Sequence, residues 1–195
     1  MPNRPAGIIL VCLLLSSVAA AQPGRPASWL DAPLANWNKA GQDRPKAPPS
    51  DESVSDVLAR CRLMPLRSTP AERAIASAGW IPFLYYDQRL AREDVEIVAG
   101  MRSADGMCRP ARYNLFVFVG GRFAGVLSPT AMTSRTDGSS AAVRLPLPNI
   151  TAEFTRYSEN DPLCCPSAHV TVRYRIERTG DGPVLLPIEI RATRG

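Results

Sequence analysis

The clearest structural signal in the chain is the stretch LFVFVGGRFAGV, residues 115–126. Two runs of aromatic and β-branched residues flank an adjacent pair of glycines. Glycine adopts the positive φ angles that a two-residue hairpin turn requires, and the flanking side chains favour extended backbone. The stretch therefore predicts an antiparallel β-hairpin that turns at Gly120 and Gly121.

On both sides of this hairpin, apolar residues recur with the period of two that marks a strand. In residues 168–178, Val170, Val172 and Tyr174 fall on one face and charged side chains fall on the other. One apolar and one polar face favour antiparallel pairing with one side in solvent. Further strands are predicted at residues 95–102, 141–147, 149–157, 168–178 and 183–192.

Two helix signals precede the strands. Thr69 can cap a helix whose first position is Pro70, and Glu72 completes a capping box. A second short helix is expected near residues 53–61, where apolar side chains share one side. The predicted fold class is α+β and mainly β. It is an antiparallel sheet of about six or seven strands, with one or two short helices packed on its apolar face and disulfides as staples.

The N-terminus has the pattern of an export signal. Arg4 supplies a positive charge, residues 7–15 are continuously apolar, and residues 19–21 are small, as a signal peptidase requires. We expect residues 1–21 to be a cleaved signal peptide. The mature protein is then periplasmic or extracellular.

The mature chain is expected to have two parts. Residues 22–57 are rich in proline and poor in branched apolar residues, which predicts an extended or partly disordered lead. Residues 58–195 are predicted to form a single globular domain. Cys12 follows Val11, where a lipidated signal would have a small residue, so a soluble exported form is expected rather than a lipid-anchored one.

Composition excludes several classes of function. The chain has 23 basic and 18 acidic residues and a formal net charge of +5. Its arginines are scattered and form no dense basic stripe, so nucleic acid is not a predicted partner. No segment after the signal is long and apolar enough to cross a membrane, and no motif for a cofactor is present.

Four of the five cysteines follow the signal peptide, and export favours disulfides between them. Adjacent side chains on an extended strand point in opposite directions, so Cys164 and Cys165 are expected to bridge separately to Cys61 and Cys108. Such bridges would be structural. A bridge between the two neighbours is the alternative, and it would favour a redox or conformational switch.

No catalytic or metal-ligating residue is predicted. His169 is the only histidine, and no C-x-x-C pair accompanies it, which argues against a zinc site. A Cys–His pair for catalysis would need a free thiolate, which export disfavours. The chain is therefore expected to be a non-enzyme.

Two surfaces are candidates for binding. One is the polar face of the later strands, and the other is the long connection of residues 127–138, because long connections often carry function. The candidate residues on these surfaces are Arg144, Arg173, Arg175, Arg191, Ser134, Arg135 and Asp137.

The cysteine-containing stretch has a family resemblance. Tyr157 and the run DPLCCPS of residues 161–167, together with the glycine- and phenylalanine-rich residues 116–129, resemble the LppP/LprE-like lipoproteins of bacterial envelopes. The resemblance implies an envelope-associated, non-catalytic protein without an established biochemical role, and it supplies no catalytic residues. This chain departs from the pattern because it lacks a lipobox.

Three hypotheses for function follow. The first is an exported, non-enzymatic binding or interaction module, whose partner is unknown and is expected to be an envelope component or another protein. The second is a thiol-redox enzyme or switch that uses Cys164 and Cys165. The third is a structural envelope protein that docks through its N-terminal lead.

Overall fold

The structure is a computed structural model that describes residues 28–194, so the predicted signal peptide and the start of the lead lie outside the described residues. After a short 3₁₀ turn at Trp29–Asp31, two helices precede nine strands. The elements in chain order are α1 Val54–Cys61, α2 Pro70–Ser77, β1 Ile81–Phe83, β2 Leu90–Arg92, β3 Val95–Ala104, β4 Pro110–Val119, β5 Arg122–Val126, β6 Ser140–Arg144, β7 Asn149–Arg156, β8 Ala168–Thr179 and β9 Gly182–Arg194.

The strands form two antiparallel sheets. The first sheet has the order β1-β3-β4-β5, with β2 also paired to β3, and the second has the order β6-β7-β8-β9. Their apolar faces meet in one core, where Leu115 and Val117 of the first sheet belong to the same buried cluster as Phe154 and Tyr174 of the second. The prediction of a mainly β fold with antiparallel strands and two helices is confirmed, but the strands form two sheets and not a single sheet of six or seven strands.

The physical reason is that alternation identifies a buried face without identifying what buries it. The apolar face of β7 to β9 packs against the first sheet, in a buried cluster that Val57 of α1 also joins. Helix α2 instead covers the outer face of the first sheet, where Ala71 and Ile75 cluster with Phe116 and Phe118. Strand β4 is thus buried on both faces, which explains its continuous apolar run.

Several local predictions are confirmed. Strands β4 and β5 form the hairpin, with Val119 paired to Arg122 across the two glycines. The Thr69 side chain accepts a hydrogen bond from the Glu72 amide at 3.1 Å and caps α2, which has proline in its first turn. Strands β1 and β2, with three residues each, were not predicted because they are too short to show alternation.

The segment before α1 contributes to the core. The Trp29 ring packs edge-on against Phe154 at 5.0 Å, and Trp37 lies 6.2 Å from Tyr174. Trp37 Nε1 also donates a hydrogen bond to the Val126 carbonyl at 2.9 Å. These contacts bring the two indoles to the inner faces of β7 and β8.

Asn38 joins the two sheets where β5 approaches β9. The residue is completely buried. Its Nδ2 donates to the carbonyls of Val126 and Leu185 at 3.1 and 3.0 Å, and its Oδ1 accepts from the Val126 amide at 2.9 Å. Gly125 lies directly against this side chain, since a Cβ added there would meet Asn38 Cγ at 2.4 Å. Asn38 therefore supplies side-chain hydrogen bonds that join β5 to β9.

The cysteines pair differently from the expectation. Cys61, at the end of α1, bonds to Cys108 in the β3–β4 connection, and Cys164 bonds to its neighbour Cys165. The expected pairing was wrong because residues 158–167 form a compact turn, in which the Cys165 amide donates to the Pro162 carbonyl at 2.9 Å. Adjacent side chains need not diverge there as they do on an extended strand.

Candidate functional site

One concavity is lined by residues of both sheets and of the connections between their strands. It has a volume of about 750 Å³, which falls within the range of about 300–1,000 Å³ typical of small-molecule sites. Four of the five tyrosines in the chain line it, and we call it the tyrosine cleft. Those residues are Tyr85, Tyr86, Tyr113 and Tyr157.

Tyr85 and Tyr113 hold the inner wall of the cleft in place. The Tyr85 hydroxyl lies 2.8 Å from the Ser140 hydroxyl, and the Ser140 amide donates to the Tyr113 hydroxyl at 2.9 Å. Tyr85 follows β1 and Tyr113 lies on β4, whereas Ser140 begins β6. The phenols therefore connect the first sheet to the second. Burial raises the pKa of both tyrosines, so both stay protonated at neutral pH.

Tyr86 and Tyr157 stand at the mouth. Tyr86 has a positive φ of 48° and a side chain that is 64% exposed, and its ring meets the Tyr85 ring edge-on at 4.6 Å. Tyr157 donates from its hydroxyl to the Leu163 carbonyl at 3.0 Å. Burial raises the pKa of Tyr157, and the nearby charge of Arg135 opposes that rise. These rings offer flat apolar faces with polar edges.

Exposed apolar side chains gather around this mouth. Met64 and Leu84, 88% and 38% exposed, line the cleft beside Tyr86. Two more, Met107 and Leu163, are sequence neighbours of cysteines that line it. These five are among the six large apolar residues that are exposed in the described part of the chain. Such clustering marks an interaction site more than a solvated surface.

The connection of residues 127–138 reaches this site, as two of its predicted residues show. Ser134 and Arg135 line the cleft. Arg135 forms no ion pair with any residue that the structure describes. Asp137 lies behind the wall, where its Oδ1 accepts from the Tyr157 amide at 2.8 Å and from Arg156 Nε at 3.1 Å. Asp137 therefore orients the backbone that carries Tyr157.

The predicted arginines of the second sheet are already paired with glutamates. Arg144 contacts Glu153 at 2.6 Å, Arg173 contacts Glu189 at 2.7 Å, and Arg191 contacts the same Glu189. A further pair joins Arg175 and Glu177. An anion that binds this face must compete with these carboxylates, so the face is a weaker candidate than the cleft.

Residues 158–167, which we call the cysteine loop, border the cleft through Cys164 and Pro166. Asp161 organises the loop, because its carboxylate accepts from the Ser158 amide at 2.8 Å and from the Ser167 amide at 2.7 Å. Hydrogen bonds from the Ser158 hydroxyl and amide hold the pKa of Asp161 well below its usual range. The loop therefore keeps a charged anchor at neutral pH.

His169 of β8, for which no site role was predicted, also lines the cleft. Across residues 28–194, no cluster of three or more His, Cys, Asp or Glu side chains is arranged to hold a metal ion. In the same part of the chain, no helix has the length and apolar character to cross a membrane.

Sequence reasoning missed Tyr85, Tyr86 and Tyr113 as residues of the cleft. Tyr85 and Tyr86 lie between two three-residue strands, where no periodic pattern singles them out. The available signal was composition: an adjacent pair of aromatic residues followed by Asp87 in a short connection. Exposed aromatic residues in connections are typical of binding surfaces.

Comparison with known proteins gives one finding. No curated protein and no solved structure matches the chain. A model of the LppP/LprE lipoprotein family matches residues 88–179, which extend from the β1–β2 connection to the end of β8. The resemblance inferred from the sequence is thereby confirmed, and residues 88–179 are similar to the LppP/LprE lipoprotein family.

Proposed function

We propose that this protein is a non-enzymatic binding module of the cell envelope, and that it takes a small molecule with an apolar body and an anionic group into the tyrosine cleft. The proposal rests on the cleft, which has four tyrosines on its wall and exposed apolar residues around its mouth. Similarity to a lipoprotein family and the apolar residues 7–15 support an exported location. Val11 before Cys12 supports a soluble form.

The apolar body follows from the lining. Phe83, Tyr85 and Tyr113 form rigid aromatic walls, and Met64 adds an adaptable side chain at the rim. Burial of an apolar ligand surface among such residues is favourable by about 25 cal/mol per Å². A concave site of this size encloses a small molecule better than it would a flat protein surface.

The anionic group follows from the charges at the mouth. Arg109 lines the cleft but is paired with Asp105 at 2.6 Å, whereas Arg135 forms no ion pair with any residue in the described range 28–194. A guanidinium binds carboxylate, phosphate or sulfonate groups through paired hydrogen bonds. Arg135 is therefore the group that would fix the polar end of the ligand.

The non-enzymatic character is supported by the acid–base properties of the wall. A general acid or base works best with a pKa near the operating pH. Burial moves the pKa of Tyr85 and Tyr113 upward and away from neutrality. These hydroxyls are suited to hydrogen bonding with a ligand.

Fluorescence titration with 1-anilinonaphthalene-8-sulfonate, an aromatic anion, tests the proposal. We expect saturable binding that weakens about tenfold in Arg135→Gln, because one charge-assisted contact is lost. The neutral N-phenyl-1-naphthylamine should bind both proteins equally. Arg175→Gln, which removes a charge from the second sheet, is the matched control and should leave both probes unaffected.

Two results would overturn the proposal. One is an absence of saturable binding of either probe to the wild-type protein. The other is an equal loss of sulfonate binding in Arg135→Gln and Arg175→Gln, which would reflect net charge and not a site.

A further inference from the structure

We infer that Cys164 and Cys165 form a thiol–disulfide exchange site whose reduction weakens ligand binding in the tyrosine cleft. The exchange chemistry stands on the cysteine loop alone. The regulatory part rests on the proposed function. The observations that carry the inference are the accessibility of this disulfide, its small contribution to the fold, and its place on the wall of the cleft.

Accessibility distinguishes the two disulfides. Cys164 and Cys165 are both exposed, whereas Cys61 and Cys108 are half-buried. Exchange requires a thiolate to approach one sulfur, so the exposed pair is the one an incoming thiol can reach. The Arg60 guanidinium additionally lies 3.5 Å from Cys61 Sγ and 3.9 Å from Cys108 Sγ, and it covers that bridge.

The two disulfides also differ in what they hold together. Cys61 and Cys108 are 47 residues apart, and their bridge ties α1 to the first sheet. Cys164 and Cys165 are one residue apart and connect no two elements. A crosslink stabilises a fold mainly by closing a loop of the unfolded chain, and adjacent residues close almost none. Opening this disulfide therefore leaves the fold intact.

The cysteine loop shares its contacts with the cleft. Cys164 lines the wall, and its neighbour Leu163 accepts the hydrogen bond from the Tyr157 hydroxyl at 3.0 Å. When the disulfide opens, residues 163–165 lose the constraint that fixes this carbonyl against Tyr157. The mouth then loses part of its preorganised wall, and preorganisation is a main source of affinity in small sites.

The reaction balances with a dithiol as co-reactant. A thiolate of the dithiol attacks one sulfur of the pair, the Cys164–Cys165 bond breaks, and a mixed disulfide forms. The second thiol of the reductant then displaces the protein sulfur. The protein gains two electrons and two protons as two thiols, and the dithiol leaves as a disulfide.

A reductive titration of the full exported chain with dithiothreitol tests the exchange site. At each step, free thiols are alkylated and assigned by mass spectrometry, and the fold is followed by circular dichroism. We expect Cys164 and Cys165 to be alkylated at concentrations that leave Cys61 and Cys108 oxidised and the fold unchanged. Equal or earlier reduction of Cys61 and Cys108 would overturn the exchange site, as would a pair that stays oxidised until the protein unfolds.

The same samples test regulation with 1-anilinonaphthalene-8-sulfonate as the probe. We expect its dissociation constant to rise at least threefold on reduction of the pair. The variant Cys164→Ser/Cys165→Ser should bind like the reduced protein and no longer respond to dithiothreitol. Equal affinities in oxidised, reduced and variant proteins would overturn the regulation and leave the proposed function standing. An absence of probe binding in every form would overturn both the proposed function and the regulation, while the alkylation order would still decide the exchange site.

Discussion

Replacing Asn38 by alanine is expected to lower the free energy of unfolding by about 3 kcal/mol, because buried polar groups lose their partners. The Val126 amide would lose its acceptor, and the carbonyls of Val126 and Leu185 would each lose a donor. Trp37 Nε1 remains as a second donor to Val126, which limits the loss at that carbonyl. The rest of the loss in unfolding free energy arises at the contact between β5 and β9. Water cannot replace a completely buried amide there without opening the sheets.

Urea unfolding at neutral pH measures this effect as a lower midpoint at unchanged slope. Asn38→Asp is a shape-matched second variant, which places a carboxylate against two carbonyl oxygens and should destabilise at least as much. Lys39→Ala, at the exposed neighbouring position, is the control and should change stability by less than about 0.5 kcal/mol. Equal midpoints for wild type and Asn38→Ala would contradict the role of this residue as the link between the sheets.

Glu72→Ala is expected to cost about 3 kcal/mol, since it removes a buried carboxylate from a network built around it. The side chain is 2% exposed. It accepts from the Ser68 amide at 2.7 Å, from the Ser68 hydroxyl at 2.9 Å and from the Thr69 amide at 3.1 Å. It also pairs with Arg89. Loss of the carboxylate removes the reciprocal half of the capping box and leaves the Ser68 and Thr69 amides without their acceptor, while the Thr69 cap itself remains.

The same residue predicts a dependence on pH. Burial raises the pKa of Glu72, but the hydrogen bonds from Thr69, Ser68 and Arg89 outweigh burial, so the pKa lies below its ordinary value. A folded-state pKa below the unfolded one gives stability that is present above the unfolded value of about 4.3 and is lost as the pH falls through the folded value. The stability difference between wild type and Glu72→Gln should therefore shrink from pH 7 to pH 3.

Urea midpoints at the two pH values measure this difference. Glu153→Gln is the matched control, because its partner Arg144 is 65% exposed and a surface pair contributes less than about 1 kcal/mol. A constant difference between wild type and Glu72→Gln at both pH values would show that the charge of Glu72 does not stabilise the fold.

The local parts of this fold could be predicted from the sequence because local chemistry determines them. Two adjacent glycines set the turn of the hairpin, and Thr69, Pro70 and Glu72 set the start of α2. The number of sheets could not be predicted, since it depends on which apolar faces meet. The face of β8 that carries Val172 and Tyr174 has the same alternating sequence pattern whether a helix or another sheet covers it.

Some residues of the candidate site could also be predicted from the sequence, and others could not. Ser134 and Arg135 were accessible to prediction because they lie in a long connection, and the structure places both on the cleft. The pairing of the cysteines could not be predicted, because it depends on the compact turn that Asp161 holds. The tyrosines come from β1–β2, β4 and the end of β7, so only the packed sheets bring them together.

The most direct test of the central claim is a titration of the isotope-labelled protein with decanoate, an apolar chain with one carboxylate, followed by amide chemical shifts. The account predicts saturable shifts that concentrate at Tyr86, Arg135 and Tyr157 around the mouth of the tyrosine cleft. Saturable shifts at Arg173 and Arg191 on the second sheet, with the cleft unperturbed, would contradict it.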